Sequence, residues 1–419
     1  VLNQPAYELW RRFQNPQTIA GPQFKAQEVQ VLQEMARVGL LLPQGAPDFQ
    51  PTTRNWQLSV WLHLTDRCNL RCSYCYLPHV REDMSLDVGR AAIEAAFRSA
   101  VNHGHRQIKL KYAGGEPLLQ FSLIKELHPY AQRLAAEKGL ELGGVVLSNG
   151  TLLTEAVVAD LRALGLRLMI SLDGIDGWHN MQRSYASGRG SFDDVASAVK
   201  LALANGLMPD ISITVSGRNA AGLPEIVGWV LEHNLPFGLN FYRLNDFSIK
   251  HEDLKLEEER IITGMLAAFE VIEANPPQHS LLASLIDRAN LAVSHEYACS
   301  AGQDYLVFDQ NGRVAKCQMM MHQPVTDIHA ADPLVLIRED QSGLQNFSVK
   351  EKEGCQGCQW KYWCAGGCPL ETYRTTGRYD VRSPNCNIYK ALYPEALRLE
   401  GLRLLKYQAG LSTLCFEPL

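Results

Sequence analysis

Apolar residues recur along this chain at two alternating spacings. Short runs dense in aliphatic and β-branched residues occupy 58–64, 107–112, 144–147, 166–172, 210–215 and 237–242, and they predict strands. Between them, apolar positions three and four apart predict helices over 86–102, 119–137, 154–164, 192–205 and 221–233, followed by one more over 253–274. Strands alternating with helices imply parallel strands joined by helical crossovers. Six such units make a partial barrel or an open sheet, because a closed eight-fold barrel usually takes about 250 residues. In either architecture, ligands are expected at the C-terminal ends of the strands.

The flanks read differently. Residues 1–45 form a small leading unit: one helical pattern runs from Tyr7 to Phe13, and a second carries Val29, Leu32, Met35, Ala36 and Leu40. Three prolines between 43 and 53 mark a linker. The region 299–386 has few long periodic runs, so its order is expected to come from whatever its cysteines bind. A helix returns over 388–407. The expected division is therefore 1–53, 54–275, 276–387 and 388–419.

Composition narrows the class. The 419 residues are 46% hydrophobic and 20% charged, which describes an ordinary globular protein rather than a disordered one. Forty basic and 45 acidic residues give a net charge of −5, too balanced to argue for nucleic acid or a membrane surface as partner. No run approaches a membrane span. No charged-then-apolar leader follows Val1, so the expected compartment is the cytoplasm.

The 11 cysteines change the picture, because they are grouped: three lie between Cys68 and Cys75, and the stretch 76–298 has none. In a long, leaderless, mildly acidic chain this grouping points to metal or cluster ligation rather than to disulfides. Cys68-x3-Cys72-x2-Cys75 directly follows the first predicted strand, where an active site is expected. Three close thiolates can hold three corners of a cubane cluster, whereas tetrahedral zinc wants a fourth ligand nearby.

The run Thr65-Asp66-Arg67-Cys68-Asn69-Leu70-Arg71-Cys72-Ser73-Tyr74-Cys75-Tyr76 closely resembles the signature of radical S-adenosylmethionine (SAM) enzymes. The resemblance implies that Cys68, Cys72 and Cys75 hold a 4Fe–4S cluster whose open iron chelates the amino and carboxylate groups of SAM. Reductive cleavage of SAM then gives a 5′-deoxyadenosyl radical that abstracts a substrate hydrogen. Further positions match that family. Gly114-Gly115-Glu116-Pro117 resembles the segment receiving the SAM amino group. Ser148-Asn149-Gly150 and Ser171-Leu172-Asp173-Gly174 resemble its ribose- and carboxylate-side contacts. Arg183 matches an arginine that pairs with the carboxylate, Tyr74 an aromatic beside the adenine, and Thr214 lines the same cavity. Singly these have plain readings as turns and surface charges; their order at successive strand ends argues against that. The resemblance covers 57 to about 245 and implies a partial (β/α)6 TIM-like barrel.

The remaining cysteines, Cys299, Cys317, Cys355, Cys358, Cys364, Cys368 and Cys386, have spacing similar to the SPASM extension of the same enzymes. That extension carries two auxiliary 4Fe–4S clusters, for three in all. The resemblance places Cys299, Cys317 and Cys368 on the nearer cluster, and Cys355, Cys358, Cys364 and Cys386 on the farther one. A pair of zinc sites is the competing reading. The nearer cluster lacks a fourth cysteine: Tyr305 stands where some members have one, and Cys415 is unassigned.

SPASM enzymes mostly modify peptides or proteins. The leading unit resembles the C-terminal half of a winged-helix element that binds the leader of a ribosomally made precursor peptide; a plain helical cap is the alternative. Gln318 follows Cys317 where sulfatase maturases of the family carry an aspartate, which weakens that assignment. The Met319-Met320-Met321 run reads as local packing. The expected activity is thus peptide maturation, forming a carbon–carbon or thioether cross-link, with epimerisation or backbone excision as variants. A reductant such as flavodoxin or ferredoxin is the expected electron donor. The alternatives are a protein-modifying maturase of the sulfatase or quinone-cofactor type, and a non-catalytic iron–sulfur or zinc protein. No catalytic general base is singled out.

Overall fold

The computed structural model describes residues 2–407 apart from 3, 20, 21, 38, 39, 46–50 and 52–55. Cys415, much of the 43–53 linker and the end of the second N-terminal pattern therefore lie outside the described residues.

Six parallel strands follow one another in chain order: β1 Gln57–His63, β2 Gln107–Ala113, β3 Glu141–Ser148, β4 Arg167–Ser171, β5 Asp210–Val215 and β6 Phe237–Phe241. Each lies on its predicted run. Helices Leu86–Asn102, Phe121–Lys138, Glu155–Ala163, Phe192–Ala204 and Leu223–Glu232 make the crossovers. Local chemistry sets their ends. Ser85 Oγ caps the first by accepting the Val88 N–H at 3.2 Å, and Thr154 does the same for Val157 at 3.3 Å. Gly139, at φ 65°, closes the second in the left-handed region that glycine enters without strain.

The side chains of β2, β4 and β5 alternate between the two faces, and those of β1 largely do. Leu58, Val60 and Leu62 on β1, with Ile108, Leu110 and Tyr112 on β2, are fully buried in the core that the helices cover. The intervening Ser59, Trp61, Lys109 and Lys111 face the other side, where they line a cavity. The result is an α/β fold whose sheet stays open, with β6 at one edge.

The cysteine-rich region departs from expectation in one respect. Three short strands there, β7 Tyr305–Phe308, β8 Arg313–Ala315 and β9 Thr326–Asp327, extend the main sheet beyond β1, giving the order β6-β5-β4-β3-β2-β1-β7-β8-β9. β7 runs parallel to β1, pairing Ser59 with Tyr305 through Leu62 with Phe308. All four β7 residues are buried. Ordinary strand pairing thus contributes to the order of this region. A four-residue apolar run is too short for periodicity to identify.

Helices Gln4–Arg11 and Ala26–Arg37 enclose a separate small core of Ala6, Leu9, Phe24, Leu32 and Met35, and no strand occurs among the described residues before Gln57. The C-terminal helix Cys386–Tyr407 is tied to Glu258–Ala274 by Arg398, which reaches Glu273 at 2.8 and 2.6 Å. Among the described residues, no helix is long and apolar enough to cross a membrane.

Candidate active site

β1 leads into the loop bearing Cys68, Cys72 and Cys75. Two backbone bonds pin that loop to the turn after β2: Gly115 N–H donates to Thr65 O at 2.7 Å, and Glu116 N–H to Arg67 O at 2.8 Å. A Cβ on Gly115 would lie 2.3 Å from Arg67 O, and one on Gly114 would lie 2.4 Å from Thr65 O. The paired glycines therefore let the cysteine loop come close. Burial pushes the Cys68 thiol up to about 11 and that of Cys75 up to about 12, each raised further by Cys72. Ligation by these thiols must displace protons.

Glu116 is fully buried and already occupied. Its carboxylate accepts the Leu118 N–H at 2.9 Å, the Ser148 hydroxyl at 2.8 Å and the Asn149 N–H at 2.7 Å. It fixes the turn after β3 to the turn after β2, and Pro117 starts the short helical turn that it caps. The expected reception of an ammonium by this carboxylate competes with those three donors. Asn149 in turn bonds Asn69 Oδ1 at 2.9 Å and approaches Cys68 Sγ at 3.8 Å.

On the far side of the loop, Tyr74, Asp173 and Arg183 meet. The Tyr74 hydroxyl donates to Asp173 Oδ2 at 2.6 Å and accepts from Arg183 Nη1, whose guanidinium lies 3.8 Å from the same carboxylate. Asp173 Oδ1 accepts the Thr214 N–H at 2.8 Å, tying the turn after β4 to β5. Burial pushes the Asp173 carboxyl above its ordinary value even though Arg183 and Tyr74 pull it back. Arg183 keeps a buried Nε with no hydrogen-bond partner. Ser171 is at the end of β4, paired with Ser212.

The second set of cysteines forms two groups. Cys355, Cys358, Cys364 and Cys386 line one void together with Trp360, Tyr389 and Tyr393. Cys299, Cys317 and Cys368 pack in one cluster with Ala301, Leu344, Leu370, Met319 and Met320, so the methionines serve local packing. The groups are joined by Cys364-Ala365-Gly366-Gly367-Cys368, with φ of 44°, 75° and 71° at the three central residues, a left-handed run that favours glycine. All ten described cysteines are free thiols. Burial pushes the Cys368 thiol up, but the guanidinium groups of Arg243 and Arg288 bring it below its ordinary value. Tyr305, at the position of the absent cysteine, is buried and donates to Gln318 Oε1 at 3.0 Å.

Residues 62–230 match the model of the radical SAM superfamily. The chain carries a radical SAM domain. Fe-coproporphyrin III synthase from Methanosarcina barkeri is 30% identical over 212 residues, 48% of each chain. This chain spans about half the length of the first curated relatives that it matches. Among solved structures, native anSMEcpe with bound AdoMet and the Cp18Cys peptide aligns with a TM-score of 0.68 at 19% identity, covering 84% of this chain and 99% of that one. Streptococcus suis SuiB bound to precursor peptide SuiA aligns at 0.53 and 16% identity, covering 85% and 86%. These likenesses establish the fold.

Several residues that organise the radical SAM domain were not singled out from sequence. His179 is fully buried: its Nδ1 accepts the Asp173 N–H at 3.2 Å and its Nε2 bonds Ser191 Oγ at 3.0 Å. Asn219 bonds Asp173 O at 2.7 Å and Thr214 O at 2.9 Å. Their side chains meet the site only through the fold, so no local motif announces them.

Burial brings the His179 imidazole down to about 3 and that of His128, against Tyr112, down to about 4. Both stay neutral in the folded chain while an unfolded histidine protonates near pH ~6.5. Their contribution to stability is complete above that pH and is lost as the pH falls toward the two folded values, by about 2 kcal/mol each at pH ~5. The melting temperature should therefore drop between pH 7.5 and 5, and less so in His128→Phe; equal drops would remove His128 from this account.

Proposed function

We propose that this chain is a radical SAM/SPASM enzyme that modifies a peptide. The observation carrying the reading is the convergence of three thiols and their polar contacts at the C-terminal ends of β1 to β5, inside the segment matching the superfamily. In this reading Cys68, Cys72 and Cys75 hold the first 4Fe–4S cluster. Cys299, Cys317 and Cys368 hold one auxiliary cluster, and Cys355, Cys358, Cys364 and Cys386 the other. The donor chemistry fits, being all thiol and grouped by burial. With SAM bound, this cofactor pair supplies a 5′-deoxyadenosyl radical for hydrogen abstraction.

The chain's own residues position and shield. Arg183 offers its unpartnered Nε to a carboxylate. Glu116 keeps the turns after β2 and β3 locked beside the cysteine loop. Tyr74 and Asp173 hold the Arg183 guanidinium in place. Arg67, Arg71, Arg81 and His79 rim a surface cavity of about 530 Å³ that reaches Cys68, which suits an acidic electron donor such as flavodoxin or ferredoxin.

The peptide substrate is supported by the bound peptides in the two aligned structures. Co-expression with any short open reading frame found beside the gene tests it. Loss of two hydrogens from that peptide is the expected result for a cross-link; a mass unchanged in H2O but raised by one unit in D2O would mean epimerisation. An unmodified peptide under conditions of SAM turnover would contradict the peptide reading.

A further inference from the structure

The inner face of the sheet holds a cavity of about 400 Å³, bordered on one side by Cys299, Cys317, Tyr305 and Gln318, whose basic wall has no role in the site described above; its size is typical of ligand pockets. Its wall contains Lys109, Lys111, Arg167 and Arg288 and a single acid, Asp210. Asp210 is taken by Arg167 at 2.5 Å. Three cations thus face the cavity with no carboxylate in its wall left to them. Lys111 Nζ lies over the Tyr305 ring, 5.0 Å from its centroid.

The neutral donors are also left over. Trp61, in the same wall, has a buried indole N–H without a hydrogen-bond partner, and Arg288 has a buried Nε in the same condition. The nearby Asp287 reaches Arg288 through its charge alone, its two oxygens receiving Arg243 Nη2 at 2.8 and 2.6 Å. Arg288 is held at φ 56°, an uncommon conformation for a large side chain, and it also lines two neighbouring voids of about 390 and 380 Å³. Unpartnered buried donors are costly, so a wall that collects them calls for an acceptor-rich ligand.

We propose that this cavity is a carboxylate-recognition subsite, in which Lys109, Lys111, Arg288 and the Trp61 indole receive an acidic group of the substrate. A carboxylate suits the wall better than a phosphate. Phosphate sites are often built on backbone N–H groups at helix N-termini, whereas here the donors are side chains: Lys109, Lys111 and Trp61 on paired strands, and the Arg288 guanidinium on the loop between Glu258–Ala274 and β7. The identity of the ligand as part of a peptide rests on the function proposed above; the preference for a carboxylate does not. The substrate would then be a peptide with an aspartate or glutamate, or its own C-terminus, seated in the sheet's inner face. The cavity also borders Cys299 and Cys317, so the competing assignment is that the cations serve only to balance a cluster.

The test uses the full, cluster-loaded chain under argon and calorimetric titration with three blocked peptides. N-acetyl-Gly-Asp-Gly-amide carries a side-chain carboxylate, N-acetyl-Gly-Gly-Gly a terminal one, and N-acetyl-Gly-Asn-Gly-amide neither. We expect one of the first two to bind at least about tenfold more tightly than the third, and whichever does so names the source of the carboxylate. Lys109→Met and Lys111→Met should each weaken that binding about tenfold with iron content unchanged. Equal affinity for all three peptides in the unaltered chain would overturn the proposal, as would tighter binding of inorganic phosphate. Retained preference in both lysine variants, with iron lost from Lys111→Met, would assign the cations to the cluster and also overturn it. SAM cleavage measured on the same samples separates this outcome from a failure of the radical SAM reading.

Discussion

Gly115→Ala is expected to cut 5′-deoxyadenosine release about 100-fold and to lower the melting temperature by ~1–3 °C. The added methyl would sit 2.3 Å from Arg67 O and 2.8 Å from Asp66 O. Both neighbours are backbone, so no side chain can swing aside. Overpacking of this kind costs about 1–3 kcal/mol, and the relief available is to push away the loop carrying Cys68. That breaks the two backbone bonds from Gly115 and Glu116 that register the loop against β2. The control is Gly143→Ala on β3, where a Cβ meets nothing within 4 Å. Similar behaviour of the two variants would show that loop placement is not set by this contact.

The second large effect is expected at Lys352, whose side chain is fully buried. Its Nζ donates to Ala365 O at 3.1 Å, and it has no carboxylate ion pair among the described residues. Burial lowers its ammonium below its ordinary value, while Cys355, Cys299, Cys364 and Cys368 around it pull the other way. Room for its stem is made by Gly366, where a Cβ would lie 2.4 Å from Lys352 Cδ. A buried cation between two cysteine groups is stabilised only if those groups bear negative charge, as thiolate-bound clusters do. Lys352→Met keeps the length and removes the charge. Iron should fall from ~12 per chain toward ~4, the content of the first cluster alone. Full iron retention in this variant, with unaltered reduction potentials, would mean that no anion faces Lys352.

Much of the architecture was legible because several strands follow a period of two and the helices a period near 3.6; Leu58–Val60–Leu62 against helix Leu86–Asn102 is an example. The cysteine loop was legible because its chemistry is local, packed into the eight positions from Cys68 to Cys75. The rest depends on contacts far apart in the chain. Glu116 is spent on Ser148 and Asn149, His179 holds Asp173 from a helix that follows it, and Lys352 is placed by a left-handed turn at Ala365-Gly366-Gly367. β7 escaped because four apolar residues carry no period, although they complete the sheet beside β1. The basic inner wall escaped because Lys109 and Lys111 sit at the polar positions of an alternating strand, where lysine ordinarily meets water.

In the proposed function, Cys68, Cys72 and Cys75 hold the cluster that cleaves SAM. Anaerobically purified protein incubated with dithionite and SAM should release 5′-deoxyadenosine, and Cys72→Ala should abolish that release while the auxiliary iron stays bound. Release from neither form by iron-loaded protein, or equal release from both, would contradict the claim.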